Sequence, residues 1–230
     1  QRAGRVNAAA RRRGRWWIPA AFAVLAVAVA LGVLIGPAGS WGTADWTIVW
    51  NIRLPRVVLA AVVGGMLSLA GASYQGVFRN PLVDPYLLGV AAGAGLGATI
   101  VFAIGRTSTA SWPIDPLPAA AFAGGLVAVV VTYAIGASFG MERAGVTLVL
   151  SGVAVTSLAT AVQAFVLQRN NDVIREVYSW ILGRLTTATW RDVRLVLPYV
   201  VVASAVLVLH RRHLDVLRVG DDEAAALGVP

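Results

Sequence analysis

Apolar residues run along this chain in long blocks, broken by short polar or Gly/Pro-rich gaps. Six blocks approach the roughly 20 residues that an α-helix needs to cross a hydrocarbon core of about 30 Å. They are Trp17–Ile35, Val57–Val77, Leu87–Ile104, Ala119–Phe139, Val146–Leu167 and Val193–Leu209. None alternates apolar and polar positions as barrel strands do, so the pattern predicts helices. The first block follows a basic stretch, as in a signal peptide, but it is longer than such an apolar region and five more blocks follow. The fold class is therefore all-α, a polytopic transmembrane helix bundle.

Small residues recur every four positions in three blocks. They are Ala60, Gly64, Ser68 and Ala72 in the second, Gly89, Gly93 and Gly97 in the third, and Gly152, Thr156, Thr160 and Ala164 in the fifth. Such stripes let helix backbones approach closely where lipid offers no hydrophobic driving force. In the gap after the second block, Pro81 disfavours helix at Asn80, while Asp84 and Pro85 suit an N-cap and first turn. The pattern predicts a tight cytoplasmic corner at Asn80, Pro81, Asp84 and Pro85, with the third helix starting at once. Between the fifth and sixth blocks, residues 168–192 carry Trp180, Gly183 and Trp190, which predict a short helix at the membrane interface.

Charge sets the orientation. Arg2, Arg5, Arg11, Arg12, Arg13 and Arg15 precede the first span, and His210-Arg211-Arg212-His213 follows the sixth. By the positive-inside rule both ends are cytoplasmic, which divides the chain into a basic tail (1–16), a six-span domain (17–209) and a cytoplasmic segment (210–230). Arg53 and Arg56 violate the rule on the outer side. The formal charge of +8 does not point to nucleic acid, because the arginines flank spans and do not form one face. Charged residues are only 13% of the chain and hydrophobic ones 58%, too little polar surface for a soluble domain.

The chain has no Lys, so it cannot contain a P-loop, and any ATP-driven step needs a partner. It has no Cys and only two His. No metal site, cofactor or catalytic residue is expected, and the chain is read as a non-enzyme. Past the sixth span, Gly220 interrupts the chain and Asp221, Asp222 and Glu223 open a helix in the favoured charge sense. Ala224, Leu227 and Gly228 give that helix a small face for a soluble partner; a free tail is the alternative.

Several blocks together resemble FecCD/BtuC-type permeases of ABC importers for iron–siderophore complexes, haem or cobalamin. They are RLPR at 53–56, Gly64, Ala70-Gly71, Gln75, RNPLVDPYLLGVAAGAGLG at 79–97, LSGVAVTSL at 150–158, Trp180, Gly183, Trp190 and the segment 220–228. Arg184 and Asp215 depart mildly from the pattern. The resemblance implies a BtuC-like permease fold of which the six spans are the N-terminal part of an expected ten, hence a partial chain. It implies alternating access in the plasma or bacterial inner membrane. The implied partners are two copies of an ABC ATPase, a second permease copy, a solute-binding protein on the outer face, and the lipid bilayer.

The resemblance also assigns roles. Arg53 and Arg56 would receive acidic residues of the binding protein, with lipid-phosphate anchoring as the alternative. Leu217, Gly220, Asp221, Asp222, Glu223, Ala224, Leu227 and Gly228 would form the ATPase-coupling segment. Gln75 would face the interior, as pathway lining or as a helix-to-helix hydrogen bond. Gly64, Ser68, Gly89, Gly93 and Gly97 would serve the pathway or helix packing. Two other classes compete: an ion-coupled secondary transporter, which places carboxylates near the membrane midplane, and a non-transporting membrane scaffold.

Overall fold

Long apolar stretches with no polar alternation leave the helix as the way to satisfy backbone groups in lipid, and the described residues contain helices and no strand. The computed structural model describes residues 2–36, 45–105, 115–138, 144–183 and 185–217. We label the helices α1 (Arg2–Leu34), α2 (Trp46–Phe78), α3 (Val90–Ala103), α4 (Pro116–Ser138), α5 (Ala144–Arg169), α6 (Ile174–Ile181), α7 (Trp190–Leu209) and α8 (Arg211–Leu217). Among the described residues five stretches are long and apolar enough to cross a membrane: Trp16–Leu34 within α1, then α2, α4, Gly145–Arg169 of α5, and α7.

Three boundaries differ from the sequence reading. The first helix continues back to Arg2 through the basic tail. The second begins at Trp46, eleven residues before the expected Val57, because Asp45 caps it: its carboxylate accepts a hydrogen bond from the Thr47 amide at 3.0 Å. One turn of α2, Val49–Arg53, is a wider π-turn. The third helix does not follow Asp84-Pro85 at once. Asp84 Oδ1 accepts from Tyr86 N at 2.8 Å and a turn closes from Gly89 N to Tyr86 O, so helix starts only at Val90. Gly89, at φ +77°, makes that break. Fourteen residues remain, about 21 Å.

The residues fall into two compact units. One comprises residues 1–65 and 185–202. In it, α1 packs on the start of α2, where a Cβ on Gly32 would lie 3.0 Å from Val57 Cγ2. Trp50 and Trp190 sit 5.6 Å apart, ring to ring, and Trp190 Nε1 donates to the Trp50 carbonyl at 2.9 Å. Thr189 and Asp192 box the start of α7, with Asp192 Oδ2 accepting from both the amide and the hydroxyl of Thr189 at 2.8 Å.

The other unit, residues 66–184 and 203–230, is built on α3, α4 and α5. Many of its buried residues are small, among them Ala98, Ala121, Ala128, Val155 and Ala159. The short helix α6 buries Val177 fully against Phe102 and Leu167, with Trp180 at the edge. The sequence predicts a short helix between the fifth and sixth blocks, and α6 is a helix of eight residues there. Phe122, Leu150 and Leu158 point outward, as the lipid-facing side of a membrane helix should.

Candidate functional site

The glycines of α3 are where backbones meet. A Cβ on Gly93 would fall on the Gly124 carbonyl, one on Gly97 on the Ala120 carbonyl, and one on Gly124 on the Gly93 carbonyl. The seam continues along α4, which buries Ala121, Gly125, Ala128, Thr132 and Gly136. Sequence reading found the α3 half and missed the α4 half, although those α4 residues already stood at spacings of three and four. In α5 the expected stripe is buried at Gly152, which presses on the Leu87 carbonyl. Thr160 and Ala164 face outward, and Val155 and Ala159 take the inner line. A strict four-residue repeat drifts off a 3.6-residue helix, so the face moves. The stripe on α2 has no such partner glycine: Ala60, Gly64, Ser68 and Ala72 are all exposed, and a Cβ on Gly64 would meet no atom within 4 Å.

Polar groups pin this trio. Thr132 is fully buried, and its hydroxyl donates to the Leu88 carbonyl at 3.1 Å, satisfying backbone left free by the break before α3. Thr99, also fully buried, donates to the Gly95 carbonyl at 2.7 Å and accepts from Gln163 Nε2 at 3.1 Å. None of these three polar residues stood out in the sequence. An isolated Thr or Gln in an apolar block carries no signal of which neighbour it will meet.

The corner between α2 and α3 is exposed and held by its own side chains. Asn80 Oδ1 accepts from Leu82 N at 2.9 Å, and Pro85 packs on Gly71. Arg79 adopts φ +49°, which ends α2. Gln75 is exposed on this chain, and its amide donates to the Pro81 carbonyl at 3.1 Å. Lying in the last turn of α2, it reaches the corner sooner than any neighbouring helix.

The two arginines of the RLPR block differ sharply. Arg53 is 6% exposed, and its Nη1 donates to the Leu34 carbonyl at 3.2 Å and the Val33 carbonyl at 3.4 Å, the end of α1. Arg56 is partly exposed, and its Nε is buried with no hydrogen-bond partner among the described residues. Both line a cavity of about 230 Å³ with Gly32, Ile35, Gly36, Ile48, Ile52 and Val57. Of the coupling segment, Leu217 closes α8; Gly220, Asp221, Asp222, Glu223, Ala224, Leu227 and Gly228 lie outside the described residues. No cluster of His, Asp or Glu that could hold a metal occurs among the described residues.

Comparison with known proteins adds the remaining evidence. The model of the FecCD transport family matches residues 16–230. The cobalamin import system permease protein of Halobacterium salinarum is 45% identical over 79% of this chain and 48% of its own length. The ferric enterobactin transport system permease protein of Escherichia coli is 36% identical over 92% and 66%. The hemin transport system permease protein of Yersinia pestis is 35% identical over 82% and 58%. The chain thus spans between about half and two thirds of the length of these relatives. A solved inward-facing structure of an ABC transporter classed as metal-chelate type superimposes with a TM-score of 0.76 at 24% identity, over 90% of this chain and 66% of that one. With five membrane-length helices, glycine-sealed packing and a family match across nearly all its residues, the chain is a multi-pass membrane protein of the FecCD transport family.

Proposed function

We propose that the chain is the membrane-embedded part of a permease in an ABC importer, carrying an iron–siderophore complex, haem or cobalamin inward. The observation that carries this reading is the family match over residues 16–230, alongside relatives named for cobalamin, ferric enterobactin and hemin transport. In this reading two permeases flank a path, two ATPase subunits bind below, and a solute-binding protein docks above at Arg53 and Arg56. Nucleotide binding and hydrolysis in the ATPases move residues 217–228 and open the path to each side in turn. The N-terminus is cytoplasmic, supported by the basic residues before the first span and in α8. The membrane is the plasma membrane or bacterial inner membrane.

Ion-coupled transport gains no support from the carboxylates. Every acidic side chain among the described residues lies in a turn, in α6 or α8, or within three residues of the start of a long helix. Uptake into proteoliposomes that hold the permease with its ATPase, and binding protein added outside, tests the reading. Uptake is expected to require ATP and the binding protein together. Uptake driven by an ion gradient without the ATPase would overturn it.

A further inference from the structure

The helix α7 runs from Trp190 to Leu209, 20 residues or about 30 Å, which is the thickness of a hydrocarbon core. With Trp190 at one interface, the depth tryptophan prefers, the other interface falls at the next residue, His210. The side chains on the approach to it are those of a lipid-facing helix: Val206 is 50% exposed, Val208 51% and Leu209 78%. Directly after them stand His210, Arg211, Arg212 and His213, all exposed. The His210 amide donates to the Val206 carbonyl and the Leu214 amide to the His210 carbonyl, both at 3.1 Å. The helical path thus continues through the junction into α8 and holds the four side chains within about one turn of the interface.

Charge decides what can sit beside them. The last carbonyls of a helix carry partial negative charge, which repels an anion. His210 offsets one of them: its Nδ1 lies 2.8 Å from the Val206 carbonyl, and since a carbonyl only accepts, the ring donates. The His213 ring packs beside it, 5.8 Å away centre to centre. Arg211 and Arg212 add two permanent charges with planar forks suited to phosphate oxygens. Asp215, one turn after Arg211, is the only acidic residue between Ala203 and Leu217, so the cluster stays positive. On a helical path Val208 and Leu209 share a face with Arg212, four and three residues on. That face passes from apolar to cationic where a bilayer passes from acyl chain to headgroup.

We propose that Arg211 and Arg212, flanked by His210 and His213, form a binding site for an anionic phospholipid of the leaflet around this end of α7. The two guanidiniums hold its phosphate, and an acyl chain lies along Val208 and Leu209. Recognition needs both parts at once, an anion at the depth of the cluster and a tail at the depth of the apolar side chains, and a free phosphate offers only the first.

The chain has no Cys, so Val208→Cys carries a single fluorophore at the lipid-facing approach to the cluster. The labelled full chain is placed in phosphatidylcholine nanodiscs in which phosphatidylglycerol with brominated, quenching chains replaces a rising share; brominated phosphatidylcholine is the reference. Phosphatidylglycerol is expected to quench at a mole fraction about tenfold lower or more. Arg211→Gln and Arg212→Gln should each reduce that preference by up to about fivefold, the worth of one basic residue near an anionic surface, and Arg211→Lys/Arg212→Lys should keep most of it. The melting temperature in phosphatidylcholine alone should stay unchanged in these variants, because the side chains are exposed. Arg79→Gln, which removes a charge from the corner between α2 and α3, should leave the preference intact. Equal quenching by the two lipids would overturn the proposal, and so would no quenching by either, which would mean that protein covers Val208. An equal fall with Arg79→Gln would show a diffuse field and not a site. Loss of the preference on adding millimolar inorganic phosphate at constant ionic strength would mean that the cluster takes a free anion and not a lipid.

Discussion

Adding one methyl group at Gly93 and at Gly64 should have opposite outcomes. At Gly93 the new carbon would fall on the Gly124 carbonyl, so the two helices must part. Gly93→Ala is expected to cost about 1–3 kcal/mol, the range for overpacking a tight core, read as a lower melting temperature in detergent. At Gly64 the carbon enters open space, and Gly64→Ala should be neutral or stabilising by up to about 1 kcal/mol from helix propensity. Equal effects at the two sites would refute the assignment of the seam. Thr99 and Gln163 give a finer test. Their coupling in a Thr99→Val/Gln163→Leu double-mutant cycle should be about 0.6 kcal/mol, the average for hydrogen bonds between membrane helices. A coupling of zero would mean that the two side chains do not meet.

The ends of the helices depend on local side chains and backbone more than on hydropathy. Thr189→Ala should destabilise the start of α7 by about 0.5–2 kcal/mol, because it removes one arm of the box with Asp192; hydrogen exchange at residues 190–193 would show it. At α2 the Asp45 carboxyl is held below its ordinary value of 3.8, first by the Thr47 amide and then by the Thr47 hydroxyl. Its contribution is present above that ordinary value and is lost as pH falls through the lowered one. The first turn of α2 should therefore fray only in strong acid, and fraying near neutral pH would contradict the cap. These ends explain what the sequence showed and what it hid. Five of the six apolar blocks were legible because lipid demands a long, unbroken run, and the third forms a shorter helix of fourteen residues. The start of α2 was not, because Asn51, Arg53 and Arg56 read as a polar gap, while the Asp45 cap and a π-turn carry the helix through them. The start of α3 was misread because Asp84 and Pro85 have the chemistry of a helix start, and Gly89 decides otherwise through its backbone alone.

For the whole molecule, the proposed coupling segment makes the sharpest prediction. Gly220→Pro, or reversal of Asp221 and Asp222 to Arg, should abolish co-purification with the ATPase while leaving the melting temperature of the bundle unchanged. Recovery of the ATPase at wild-type yield would place the coupling elsewhere. The sequence carried the family resemblance well, because RLPR and the block at 79–97 are ordered motifs. It did not show that Arg53 is buried while Arg56 is partly exposed, since a motif does not record burial.

The hydroxyl of Thr132 on the Leu88 carbonyl has one more consequence. The non-helical lead into α3 is satisfied by α4, and the Leu87 carbonyl is clasped by Gly152 of α5. Sliding α4 past α3 would take the donor from the Leu88 carbonyl, and sliding α5 would drive side chains into the Leu87 carbonyl where only Gly152 fits. Should the machine rock between two poses, this triplet travels as a single plate, and the hinge has to be sought along other joints of the molecule.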